Sequence, residues 1–402
     1  MKKHSILTEG IVVLLFLFGA AHATTWYVHP DSTLNSIQAG IDLCSTGDTV
    51  LVGAGTYFEN INFNGMAITV TSEYGPDTTT IDGSSPAHPD SGSVVLFKSG
   101  ENNSSVLDGF TLTRGIGTNM PWGHSGGGIE CCNASSPTII NNIITADTVT
   151  GYGGGIECDY NCNPIISNNT ITMNQAGESG GGIEFYDASP TITNNVIDGN
   201  EATYGGGIVI GDYCSGDISH NTITNNTATP TGGGGGIFLC QNTTTLIQHN
   251  LIANNFNDGV CSGWPGNPTI YCNDIIDNEG YAIRNTASSV TIDADSNWWG
   301  DATGPYHPDS NPGGLGDTVS DYVDFIPWLT SPGVEEQPII KPVEKHENLT
   351  ASIFRGSLHL PEGKNCIVFD ITGRVVEPSK IRPGIYFIEV DGVVTQKVVK
   401  VR

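Results

Sequence analysis

In the repeated body of this chain apolar positions come in short runs of up to four residues, mostly β-branched and punctuated by Gly, Pro and Asn. Residues 180–206 show one full unit. Ile183 and Phe185 alternate with Glu184, Ser189-Pro190-Thr191-Ile192 follows, and Asn194-Asn195-Val196-Ile197 comes next. Asn200 and a further glycine run close the unit. Alternation over so few residues predicts short strands joined by turns, and no helical periodicity competes with it. Gly-Gly-Gly-Ile recurs, ending at Ile129, Ile156, Ile183, Ile208 and Ile237, with weaker copies at Val260 and Ile283. A second column runs in parallel through Asn142, Asn169, Asn195, Asn221, Asn250, Asn273 and Asn297. A third, three residues before the Asn, holds Ile139, Ile166, Ile192, Ile218, Ile247 and Ile270.

A period of about 25 residues is the signature of a solenoid, whose repeats bury apolar surface only against their neighbours. Three short strands per period predict one coil of a parallel β-helix. Coils stack at roughly 4.8 Å, so about ten of them make a rod on the order of 50 Å long. Each inward Ile of a column contributes roughly 1.5–3 kcal/mol of burial. The Asn column suits sharp corners, since Asn tolerates the left-handed conformation, and its amides can ladder between coils. The glycines allow positive φ or close packing.

The two ends differ from the repeats. Lys2-Lys3, the apolar Ile11 to Phe18 and Ala21-His22-Ala23 read as a secretory signal peptide over residues 1–23, too short to span a bilayer. Residues 26–83 read as an entry segment. Leu34, Ile37 and Ile41 have helical spacing after Asp31-Ser32, which predicts a short amphipathic helix covering the open end of the rod. Residues 330–348 read as a linker. In the last segment Ile367-Val368-Phe369-Asp370-Ile371-Thr372-Gly373-Arg374, Pro383-Gly384-Ile385-Tyr386-Phe387 and Val393 to Val401 read as strands and turns.

From the entry segment through the repeats to Asn297-Trp298-Trp299-Gly300 and Pro327-Trp328-Leu329, the chain resembles bacterial right-handed parallel β-helix proteins of the pectin-lyase-like superfamily. The resemblance implies an all-β chain with a right-handed parallel β-helix over residues 24–329. That superfamily contains polysaccharide lyases, glycosidases and binding proteins without catalysis. Residues 349–402 resemble the C-terminal sorting domain of type IX secretion substrates. That implies a small β-sandwich read by outer-membrane export machinery, and a secreted or surface-attached product.

Charge is unevenly placed. Residues 24–340 hold 34 Asp and Glu against Lys98, Arg114 and Arg284, while residues 341–402 hold ten basic and seven acidic residues. So acidic a body excludes nucleic acid or an anionic membrane as an electrostatic partner, and a polyanionic substrate would need a metal bridge or a basic cluster. Ten cysteines in an exported chain predict disulfides or buried thiols, with Cys131 and Cys158 stacked on adjacent coils. A zinc site at Cys131, Cys132, Cys158 and Cys162 lacks paired C-x-x-C spacing.

One face carries candidate chemistry. Glu130, Glu157 and Glu184 each follow the triplet Ile, so they should point outward as a solvated acidic stack. Asp159, Asp187 and Asp212 lie three or four positions after the same Ile, among Tyr160, Tyr186 and Tyr213. Stacked carboxylates beside tyrosines can hold Ca2+, grip a sugar, or supply an acid/base pair through Glu157 and Glu184. The Asn-Thr-Asp, Asp-Asp, Gly-His-Gly and Arg-Ile-Lys motifs of polygalacturonase-like enzymes are missing, and Gly123-His124-Ser125-Gly126 is the nearest approach. Pectate lyases use calcium carboxylates with an Arg or Lys base, for which Arg114 is the candidate near the acidic coils. His220 and His249 share one slot on adjacent coils, and Asp293-x-Asp295-x-Asn297 begins like a calcium loop.

These readings favour non-catalytic recognition of an extracellular polysaccharide or surface glycan. A lyase or glycosidase and a structural stalk are the alternatives. An enzyme should show a cleft with convergent carboxylates and a basic group. A binding module should show an aromatic-lined groove without that pair, and a stalk neither.

Overall fold

In the computed structural model the described residues are 23–86, 91–121 and 123–334, with residues 352–354, 366–370, 376, 378, 384–390 and 393–400 of the tail. The signal segment, most of the linker and the rest of the tail lie outside them. Contacts divide the chain after Glu335 into two units.

The first unit is a parallel β-helix. Among its described residues are three long sheets of twelve, nine and nine strands. One coil passes through Thr138–Ile140 of the first sheet, Ile143–Thr145 of the second and Ile129–Cys131 or its successor Ile156–Asp159 of the third. The central coils add a fourth short strand that the sequence pattern does not single out. Thr148–Val149, Gln175–Ala176, Glu201–Tyr204 and Thr227–Gly233 form it, between the second and third sheets.

The register follows the sequence columns. Ile139, Ile166, Ile192, Ile218, Ile247 and Ile270 pair directly, coil on coil. Ile129, Ile156, Ile183, Ile208, Ile237, Val260 and Ile283 do the same in the third sheet. All are buried in one continuous core. A slip of one residue would turn each Ile outward, so the apolar stack fixes the register.

The Asn column forms a ladder, but its conformation differs from the expectation. Asn195 accepts on Oδ1 from the backbone N–H and the side-chain amide of Asn169, and donates to Ile166 O and to Asn221 Oδ1. Positive φ belongs instead to the residue before each ladder Asn: Asn141, Asn168, Asn194, His220, His249, Cys272 and Ser296. A second ladder, Asp147, Asn174, Asn200, Asn226, Asn255 and Asn278, turns the next corner.

At the N-terminal end the helix spans Ile37–Asp42, capped by Ser36 rather than begun at Asp31-Ser32. Glu59 accepts from the Ile37 and Gln38 N–H groups, which satisfies donors the first turn leaves open. Ile37 and Ile41 are buried against the first coils, as a cap requires. Trp299 closes the core toward the other end.

The second unit shows a four-stranded sheet in the order Ser352–Phe354, Val393–Lys400, Gly384–Val390, Cys366–Asp370. The first pair is parallel and the others antiparallel. A second layer of the expected sandwich lies outside the described residues.

Candidate functional site

The outer face of the third sheet carries the site. Glu157 and Asp159 leave Ile156–Asp159 on the side opposite Ile156 and Cys158, and Glu184 and Tyr186 pair with them from the next coil. Here the structure corrects the expected solvated stack. Glu130, Glu157, Glu184 and Asp159 are all buried. They do face away from the Ile core, but the glycine segment of each coil folds back over them. Gly153 has φ +59, and a Cβ there would lie 2.5 Å from Glu157 Oε2. Gly126 stands in the same relation to Glu130, at 2.6 Å. Only glycine permits both the left-handed turn and so close an approach.

The residue before each of these glycines forms a wall column: Ser125, Tyr152, Ser179 and Tyr204 bridge one another coil to coil. Ser125 donates to Glu130 at 2.9 Å and Ser179 to Glu184 at 2.6 Å. In the middle coil the slot holds Tyr152 instead, and Glu157 Oε2 has no hydrogen-bond partner; Asp159 Oδ2 also lacks one. Tyr152, Glu157, Asp159, Tyr160, Glu184 and Tyr186 line an open cavity of about 220 Å³. A second cavity of about 450 Å³ shares Tyr152, Glu184 and Tyr186 with it and continues toward Phe238 and Trp264. Together they form one groove across successive coils.

Its walls are aromatic. Tyr160 meets Tyr186 edge-on with centroids 5.8 Å apart. Tyr204 and Phe238 lie 5.1 Å apart, and Phe238 meets Trp264 edge-on at 5.7 Å. No lysine, arginine or histidine lines either cavity.

Burial sets the proton states. It raises Glu184 to about 8, against a restraining hydrogen bond from Ser179 and with the Asp159 charge adding. It raises Asp159 to about 6, opposed by a hydrogen bond with Glu157. Burial pushes Glu130 and Glu157 well above the carboxylate range, with the Asp159 charge acting on both and the Glu184 charge on Glu157. Near neutral pH, then, Glu184 and Glu157 keep protons beside an Asp159 that is largely ionised.

The sequence candidates divide accordingly. Glu157, Glu184, Asp159, Tyr160 and Tyr186 meet in the first cavity, and Asp212 lines the second. Glu130, Asp187 and Tyr213 line neither, and Tyr213 is 61% exposed. Arg114 is no base for this groove, because its guanidinium pairs with buried Asp82. Tyr152, Ser179, Tyr204, Phe238, Gln241 and Trp264 were not among the candidates, although the slot before the glycine triplet is legible as a column.

Of the two cysteine readings, buried thiols rather than disulfides describe the body. Cys131 and Cys158 stand in register, yet both are thiols within the apolar core, and none of the body's nine cysteines is in a disulfide. Burial pushes the Cys131 and Cys162 thiols up, away from the thiolate a metal needs. Asn297 ends the ladder, donating to Ile270 O and Ala294 O, so Asp293-x-Asp295-x-Asn297 is no calcium loop. Asp274 and Asp317 likewise serve the far end of the rod.

Residues 99–306, more than half of the chain, match the model of the family described as periplasmic copper-binding protein (NosD). The chain belongs to the NosD family. Other comparisons are sparser. No curated protein matches the chain. A solved structure titled "Crystal structure of pectate lyase Pel9A" aligns at 14% identity and a TM-score of 0.48, covering 79% of this chain and 83% of that one.

The donor set of this NosD-family member does not fit a copper centre. Copper calls for convergent thiolate, thioether or imidazole ligands. Among the described residues no group of three or more His, Cys, Asp or Glu side chains is placed to hold a metal. His220 and His249 come nearest, but their rings stack face to face at 5.1 Å, an arrangement of packing rather than of shared ligation.

Proposed function

We propose that the protein is an exported cell-envelope β-helix whose groove binds a glycan free of carboxylate and sulfate groups, without cleaving it. The carrying observation is the groove itself, in which Tyr152, Tyr186, Tyr204, Phe238 and Trp264 line two joined cavities beside carboxylates and no cationic side chain. Aromatic faces suit sugar rings, and convergent polar groups fix their orientation. A uronate polymer would meet like charge with nothing to offset it. The periplasmic description of the family supports export. The route proposed is the signal peptide over 1–23, then a type IX-like step read from residues 349–402, leaving the protein secreted or on the outer surface.

The test is retention of the refolded chain on xylan, β-glucan, mannan, chitin and polygalacturonate. Retention on at least one neutral polymer, weakened about tenfold by Trp264→Ala or Tyr186→Ala (about 1.4 kcal/mol), supports the reading. Equal retention on polygalacturonate sinks it, and silence across the neutral panel leaves a structural stalk.

One observation favours a second reading, glycoside hydrolysis. Burial raises two carboxyls of one cavity unequally, Glu184 to about 8 and Asp159 to about 6, in the direction an acid and a base need. New reducing ends that disappear in Glu184→Gln would establish it in place of simple binding.

A further inference from the structure

We propose that the cavity between Tyr152, Tyr160 and Tyr186 is a subsite for an organic ammonium group, seated over the tyrosine faces and against Glu157 and Asp159. Where the amine is part of a sugar, this deepens the glycan reading and rests on it. The subsite itself stands on its own geometry.

Three observations carry the argument. First, three tyrosines and three carboxylates share a space of about 220 Å³, the scale of a small head group rather than of a sugar chain. Aromatic faces attract an ammonium through the ring quadrupole, and the attraction grows as the cation loses water. Second, Glu157 is 1% exposed and Asp159 2% exposed, and each has a side-chain oxygen with no hydrogen-bond partner. Apart from the hydrogen bond that joins the two carboxyls, nothing in the chain donates to these buried atoms, so they call for a donor from outside. The wall slot that holds Ser125 and Ser179 in the flanking coils holds Tyr152 here. The open carboxylate therefore coincides with the coil where the wall turns aromatic. Third, the cavity is lined by no basic side chain, and its carboxylates are not placed as a metal-holding set. An organic cation, which needs diffuse negative charge and ring faces rather than a tight oxygen shell, fits where a metal does not.

A cation entering the cavity favours the ionised carboxylates, so binding expels the protons that Glu157 and Glu184, and at the acid end of the range Asp159, hold when the cavity is empty. Affinity for a cation of fixed charge therefore rises with pH between about 6 and 8.

The experiment is titration calorimetry of the full chain with choline and with its neutral carbon isostere, 3,3-dimethylbutan-1-ol, in two buffers of different ionisation enthalpy. A parallel arm compares glucosamine tetramer with N-acetylglucosamine tetramer. The expected result is choline binding at least tenfold tighter than the isostere, with protons released. Tyr160→Ala, at a ring 44% exposed, should weaken it severalfold without touching the core, and Asp159→Asn should weaken it about tenfold. Equal binding of choline and isostere overturns the proposal. So does binding that Asp159→Asn and Tyr160→Ala both leave unchanged in a folded protein, or calcium displacing choline at equal ionic strength. Preference for glucosamine tetramer over its acetylated form assigns the amine to a sugar. Choline binding without retention of either tetramer or of any neutral polymer of the panel upholds the subsite but removes the glycan reading. Glycan retention with no choline binding does the reverse.

Discussion

At the scale of single residues, glycine decides whether the site exists. Gly153 is held at φ +59 against Glu157, where a Cβ would press on the carboxylate at 2.5 Å. Gly153→Ala must meet left-handed strain of about 1 kcal/mol or more and also displace a buried side chain. A loss of about 2–3 kcal/mol in denaturant unfolding is expected, with the groove disturbed. Gly199 makes the contrast. It also has positive φ, at +65, but open space surrounds its missing Cβ, so Gly199→Asn should change stability by less than about 0.5 kcal/mol. A glycine column was legible in the sequence. That the glycines roof the Glu column was not, because alternation tells which side of a strand a residue leaves, never what lies over it. Alternation alone therefore leaves the outward Glu residues looking solvated, whereas the segment four residues upstream buries them.

At the scale of the element, neighbouring asparagines with the same side chain do opposite work. Asn194 is exposed and holds a left-handed corner at φ 57, so Asn194→Gly should be nearly neutral. Asn195 is buried and joins three coils through its amide. Asn195→Ala leaves the Asn169 N–H and the Ile166 and Thr193 carbonyls without their side-chain partner. An orphaned buried N–H such as that of Asn169 costs about 1–3 kcal/mol, and with the ladder bonds to Ile166 and Asn221 also gone a loss of at least about 2 kcal/mol should appear in thermal unfolding. Equal effects of the two changes would refute the ladder. The second ladder begins with Asp147, fully buried, with Oδ2 unpartnered and burial holding its carboxyl well above the usual range. Asn174 in the next coil donates from its amide to Ile144 O. Asp147→Asn supplies the same donor without a proton to hold, and should stabilise the rod at pH 7 by about 0.5–1.5 kcal/mol in the same measurement. The first ladder was legible as spacing. Its left-handed member was misplaced by one residue, because spacing locates a corner without saying which residue turns it.

At the scale of the whole solenoid, the buried carboxylates invert the usual response to acid. Most folds lose stability as acid protonates carboxylates that are ionised and paired. Glu184, raised from 4.5 to about 8, and Asp159, raised from 3.8 to about 6, behave the other way, chiefly because burial disfavours their charge. A raised folded-state value means the stability these groups contribute is fully present below about pH 4. It is lost as pH climbs, through about 6 for Asp159 and through about 8 for Glu184. Glu130 and Glu157 shift in the same direction, so three consecutive coils of the rod share the trend. The melting temperature should therefore fall between pH 5.5 and pH 8.5. Added salt should offset little of that fall, since screening acts on exposed charges rather than on a buried cluster. A variant carrying Glu130→Gln, Glu157→Gln and Glu184→Gln should flatten the fall and melt higher than the parent at pH 8.5. The same fall in parent and variant would place its origin in the exposed acidic surface instead. That surface belongs to a chain of net charge −27, and 1 M salt would then remove the effect. The two origins thus separate on one axis, ionic strength, and the buried origin requires the flattening to persist in 1 M salt.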